Sequence, residues 1–177
     1  MKLVIAVAPL FLLAACATSA TNSLTNPRVV REASDAQKSV LIERVKSLAG
    51  TWEGKAPEGT HSITFAVCSG GSAVREVMFP GTPHEMTNMY TMDGDTLLMT
   101  HFCAMGNQPH MRASVGRGPN ELRFDFDGVT NLRAADEMYM GSMTMTIVDQ
   151  DHVVETWNHY KSGVKGEPTV IELTRKH

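Results

Sequence analysis

No part of this 177-residue chain is apolar for the ~20 consecutive residues that a helix needs to cross a bilayer. Nor is there a block of lysine or arginine: 16 basic residues are spread among 19 acidic ones. Without a basic patch or a nucleic-acid motif the chain lacks the electrostatic footprint of a nucleic-acid binder, and none is expected as a partner. Cysteine is scarce, limited to Cys16, Cys68 and Cys103, and their spacing relative to the histidines matches no standard zinc pattern. No internal repeat and no second linker interrupt the chain. What lies beyond the N-terminal segments, residues 34–177, is one domain's worth of sequence, enough to bury a real core but not two.

What is present begins at the N-terminus. Lys2 supplies a positive n-region, Leu3 to Leu13 an uncharged apolar run, and Ala14-Ala15 the small residues of a cleavage point, the organisation of a secretory signal over residues 1–15. Because the small pair is followed by Cys16, the segment Leu13-Ala14-Ala15-Cys16 resembles a bacterial lipobox. That resemblance implies diacylglyceryl transfer to Cys16, cleavage before it and acylation of the new amino terminus. One acyl chain anchors only marginally, so the three chains implied here define a bilayer-attached protein. Residues 16–33 are small and polar, a composition that reads as a flexible tether. Ala17 is not the aspartate that retains many such proteins in the inner membrane, so the expected location is the cell envelope, at the outer membrane facing the periplasm.

The domain opens with helical periodicity. Leu41, Val45 and Leu48, with Ile42 and Ala49 beside them, form one apolar stripe, predicting a single helix of about four turns. Ser34 and Gln37 are spaced as a capping box, and Gly50 stands where a left-handed C-terminal residue belongs. After Gly50 the period changes to two. Ile63, Phe65 and Val67 alternate with polar neighbours; Leu97 and Met99 share a face with His101 and Cys103; Leu122 aligns with Phe124 and Phe126; Met143, Met145 and Ile147 continue the pattern. Gly70-Gly71, Gly81-Thr82-Pro83, Asp93-Gly94-Asp95, Gly118-Pro119-Asn120 and Lys161-Ser162-Gly163 are the turns between them. A meander of about nine antiparallel strands removes its edges by closing into a barrel. The expected class is mainly β, a meander barrel with one N-terminal helix.

Leu48-Ala49-Gly50-Thr51-Trp52 leading into that meander looks like the glycine-x-tryptophan opening of lipocalin-like, or calycin, barrels. Phe79-Pro80-Gly81-Thr82-Pro83-His84-Glu85-Met86, the Tyr90–Asp95 hairpin, Thr100-His101-Phe102-Cys103 with Gly106-Asn107-Gln108-Pro109, Asp151-His152 and Trp157 together resemble a family of uncharacterised bacterial secreted proteins with a lipocalin-like domain. The resemblance covers most of the mature chain and implies a barrel without an established activity. This chain departs from the family at Thr156, where the family has an acidic residue, and at Glu137 and Tyr139, where it has histidines.

Closed barrels of this size commonly enclose one small ligand, and 12 methionines supply the adaptable side chains that suit such a cavity or an irregular core. The candidate ligand-binding residues are Trp52, His84, Tyr90, Leu97, Met99, His101, Cys103, Gln108, Met143, Met145 and Trp157, and the expected ligand is a small, largely apolar molecule. Neither a cofactor nor catalysis is expected. Two other chemistries stay open. His84, His101, Cys103 and His110, with Met138, Met140, Met143 and Met145, are ligand types that zinc or copper takes. His101 with Cys103, two apart on one strand, could pair a base with a thiol nucleophile; the alternative is a hydrogen-bonded core histidine and a buried cysteine. Glu155, Trp157 and His159 share a face with Val153, either in the lumen, where the polar groups must be paired, or at a wet rim. Asn107 and Arg112 are either turn and surface groups or polar contacts at a pocket mouth. An exported location permits a Cys68–Cys103 disulfide only if the strands bring the two together.

Overall fold

A computed structural model describes residues 28–57, 59–116, 118 and 120–177. The apolar leader, Cys16 and the first part of the polar segment lie outside these described residues. Eleven strands follow two short helices: β1 (Gly50–Ala56), β2 (Gly59–Cys68), β3 (Ala73–Met78), β4 (Met86–Asp93), β5 (Thr96–Phe102), β6 (Gln108–Val115), β7 (Glu121–Thr130), β8 (Tyr139–Ile147), β9 (His152–Lys161), β10 (Val164–Lys165) and β11 (Thr169–Arg175). Strands β1 to β9 each pair antiparallel with the next, and β11 pairs with both β9 and β1. The ring is therefore closed by ten strands, one more than the expected count of about nine, while two-residue β10 only extends the hairpin at the end of β9.

Antiparallel register places directly opposed residues on the same face, so the inward rows can be followed around the ring. Phe65 faces Glu76, Glu76 faces Asn88, and Asn88 faces His101. Further around, Phe124 faces Met143 and Met143 faces Trp157. All of these are buried. Phe126 leaves the row predicted for it. A bulge in β7, where Met111 pairs with Phe126 but His110 already pairs with Gly128, inserts Asp127 and re-aims the strand. Phe126 is left exposed, with its ring 5.1 Å from that of Tyr139.

The predicted single helix is two: α1 (Asp35–Val40) and α2 (Ile42–Lys46), broken at Leu41, whose φ of −121° and ψ of −96° are not helical. The capping box is formed as expected, with Gln37 N donating to Ser34 Oγ and Ser34 N donating to Gln37 Oε1. The break lets Leu41 and Ile42 both turn inward beside Val45 and Leu48, all buried, while Ala49 is exposed. Gly50 does not cap the helix, which stops at Ser47; it opens β1 at φ 135° instead.

Trp52 fastens this helical plug to the barrel. Its Nε1 donates to the Leu48 carbonyl at 2.8 Å. The Arg175 guanidinium stacks 4.2 Å above the indole and donates to the carbonyls of Ala49 and Ser47. One end of the barrel is thereby stopped. Just inside it Gly54 lies where a Cβ would come within 2.7 Å of Ile63 Cδ1 and 3.2–3.3 Å of Leu173 and Ile171. Gly54→Val should overpack this layer and cost about 1–3 kcal/mol, measured as a lowered urea midpoint with an unchanged m-value.

Candidate functional site

Most polar side chains that enter the barrel do so at one level. Among the described residues the buried polar and charged side chains are Glu76, Asn88, His101, Asn107 and Glu155, with no lysine or arginine among them. Four of these five belong to a single connected cluster, built by neighbouring strands β3, β4 and β5 and completed across the barrel by β9.

Glu76 of β3 is its hub. Its Oε2 accepts from Asn88 Nδ2 at 2.7 Å and from the Tyr90 hydroxyl at 2.7 Å. Asn88 Nδ2 also reaches Met78 Sδ at 3.4 Å. Asn88 Oδ1 lies 2.6 Å from His101 Nδ1, and the His101 ring packs on Trp157 with centroids 5.0 Å apart. Trp157 Nε1 in turn donates to Glu155 Oε2 at 3.0 Å. The carboxyls of Glu76 and Glu155 are close enough to perturb each other's ionisation, and each has one buried oxygen, Oε1, without a hydrogen-bond partner. Like charges so close in a low-dielectric interior cannot both ionise.

Burial and the adjacent Glu76 hold the Glu155 carboxyl well above the ordinary carboxylate range. Burial raises Glu76 as well, against the pull of the bonds from Asn88, Tyr90 and Glu155. Of the two, Glu155 is held the more strongly toward its protonated form, and Glu76 Oε2 accepts the bonds from Asn88 and Tyr90. Burial and the same carboxylates push the Tyr90 hydroxyl well above its usual value, so it remains a donor. For His101 burial acts in the other direction and lowers the imidazole to about 4.

His101 also stands on the wall of a cavity of about 150 Å³ lined by Met78, Phe79, Met86, His101, Met140, Trp157, Thr169 and Ile171. These residues come from the ends of the strands opposite the helical plug. His101 Nδ1 is held by Asn88, whereas Nε2 is buried and has no partner in the protein. A buried, unsatisfied nitrogen is costly, and the cavity beside it is where a partner can sit. His61 Nε2, on a ring 4.8 Å from Phe79, is buried and unpartnered as well.

The structure brings His101 and Trp157 to this cavity and places Tyr90 in the network behind it. Leu97, Met99, Met143 and Met145 face inward but are packed in the core rather than on the cavity wall. Trp52 belongs to the plug. His84 is exposed in the turn between β3 and β4. Gln108 is half-buried, donating to the Gly106 carbonyl and accepting from Thr130. Asn107 donates to the Met138 carbonyl, and Arg112 pairs with Asp127 on the outer surface. Cys103 lies beyond the end of β5, where burial pushes its thiol up, the reverse of an activated nucleophile. Cys68 and Cys103 are both free thiols, at the ends of the barrel with and without the plug respectively. His110 sits between Thr100 and Thr130, away from His101, and among the described residues no three His, Cys, Asp or Glu side chains converge as metal ligands. Glu155 resolves to the lumen. Glu76 and Asn88 were not singled out from sequence, although Val74, Glu76 and Met78 alternate with outward residues and carry the signal of a charged group on an apolar face.

No family model matches the chain, and neither does any curated protein. Among solved structures the chain is similar to that of Rv2717c from M. tuberculosis, with a TM-score of 0.55 and 12% identity over 77% of this chain and 97% of that one. The likeness is one of fold, the closed antiparallel barrel.

The His101 shift has a direct consequence for acid stability. Below pH 6.5 the unfolded chain takes up a proton that folded His101 refuses until about pH 4, so its contribution is complete above 6.5, lost through that window and flat below it. The gap corresponds to about 3 kcal/mol. His101→Gln, which keeps a donor for Asn88, should gain on the wild type by roughly that amount as urea unfolding is moved from pH 7.5 to 4.

Proposed function

We propose that this chain is a membrane-anchored bacterial lipoprotein whose barrel, residues 34–177, binds a small, largely apolar molecule in the cavity beside His101, without catalysis. The observation that carries the reading is the unpartnered Nε2 of a buried histidine on the wall of an otherwise largely apolar cavity. Pockets that take small molecules combine apolar walls with a few placed polar groups, and here the histidine is itself fixed by a buried network. Attachment through an acylated Cys16, at the outer membrane facing the periplasm, is supported by the Leu13-Ala14-Ala15-Cys16 sequence.

An exported soft-metal protein is the second reading. Met78, Met86 and Met140 share the cavity with His101, a set of thioether and imidazole donors of the kind copper(I) accepts. Silver(I) titration of protein purified without chelator separates the two: stoichiometric silver binding abolished by Met140→Leu supports the metal, and its absence removes it.

Toluene should bind the wild-type protein and alter Trp157 emission. Thr169→Phe should abolish that binding while changing stability by less than about 1 kcal/mol, because filling a real cavity avoids the strain of overpacking a filled core. A wild-type protein that takes up no toluene, with Thr169→Phe strongly destabilised, would mean a solid barrel. Cys16→Ser should leave unprocessed precursor or soluble protein on cell fractionation; processed, membrane-bound Cys16→Ser protein would exclude the anchor.

A further inference from the structure

The hydrogen-bond polarity of the buried cluster fixes what the cavity asks of its ligand. Asn88 commits its amide nitrogen to Glu76 and Met78, which orients the side chain so that Oδ1, an acceptor, meets His101 Nδ1 at 2.6 Å. Nδ1 must then carry the imidazole proton, leaving Nε2 as a bare lone pair. At the cavity His101 can accept a hydrogen bond but not give one. No buried lysine or arginine stands among the described residues to attract an anion, and the same interior already encloses the two acidic side chains Glu76 and Glu155. The wall is otherwise thioether, aromatic and aliphatic but for Thr169. A cavity of about 150 Å³ is also the size at which a dry, apolar protein site takes up a single benzene ring.

We propose that the ligand is a one-ring, uncharged hydrogen-bond donor of the phenol class, its O–H donated to His101 Nε2 and its ring held against Trp157 and the methionines. This rests on the cavity reading above and goes further, because it excludes carboxylates. A carboxylate brings no proton to Nε2 at neutral pH and finds no lysine or arginine on the cavity wall to pair its charge. The Asn88 amide acts as a positioning group that holds the histidine in its accepting tautomer.

The test titrates phenol, toluene and benzoate into the full-length protein at pH 7.5 by calorimetry, for the wild type and His101→Phe. Phenol and toluene should bind and benzoate should not, and His101→Phe should lower the phenol-to-toluene affinity ratio about tenfold, the effect of one lost hydrogen bond in a dry site. Nitrogen-15 NMR of histidine-labelled wild type provides a check independent of the variant's folding: phenol, not toluene, should shift the unprotonated Nε2 resonance of His101. Benzoate binding as well as phenol, a ratio unchanged by the variant, or an Nε2 resonance unmoved by phenol would each overturn the assignment of ligand class. Toluene binding with any of those results leaves the cavity reading intact, whereas failure of all three compounds to bind overturns both.

Discussion

A carboxylate enclosed in a β-barrel must have its hydrogen bonds supplied by the barrel, and the interior of this protein is arranged around that requirement at Glu76. Water cannot reach it, so β4 contributes Asn88 and Tyr90 as donors, while β9 brings a second carboxyl, Glu155, close by. Each of those groups is then constrained in turn. Asn88 has one orientation that serves Glu76, and this sets the tautomer of His101; Glu155 is held toward its protonated form, and its Oε2 takes the indole N–H of Trp157. Pairwise, these are ordinary hydrogen bonds. Linked in series in a low-dielectric interior, they act as a unit, since removing one member strands the next.

The same network separates two regions of the lumen. On the plug side, Trp52, Phe65, Leu97, Met99, Leu122 and Met145 fill the space and form a continuous core. On the other side Met78, Met86 and Met140 stand at the strand ends, where no helix packs among the described residues. The core side chains fill the plug side, so the cavity lies at the other end, with His101 of the polar cluster on its wall.

The barrel was legible in the sequence because its signal is repeated. Period-two runs at Ile63–Phe65, Leu97–His101 and Met143–Met145, separated by glycine-rich turns, all point to the same architecture, and Ser34 with Gln37 marked the helix start. The exceptions have local causes. One extra residue at Asp127 turns Phe126 out of its row, and the backbone at Leu41 divides a stripe that reads as one helix. The site was legible only in part. His101 and Trp157 stand out as polar-capable residues on apolar faces, and Glu155 could be named but not placed. Glu76 and Asn88 were hidden because a single polar residue in a strand reads the same whether it faces solvent or a partner on another strand. Only the register that opposes Glu76 to Asn88 and Asn88 to His101 makes them a site.

The plug gives the molecule a direction. The described chain begins at Arg28, paired with Asp93 at the end of β4, on the same end as the helices, while the walls of the cavity come from the opposite strand ends. The stopped end and the cavity therefore lie at opposite ends of the same barrel, with the polar cluster and the packed core between them. A molecule in the cavity and the described N-terminal segment consequently do not compete for the same space, so events at one end reach the other only through the buried network.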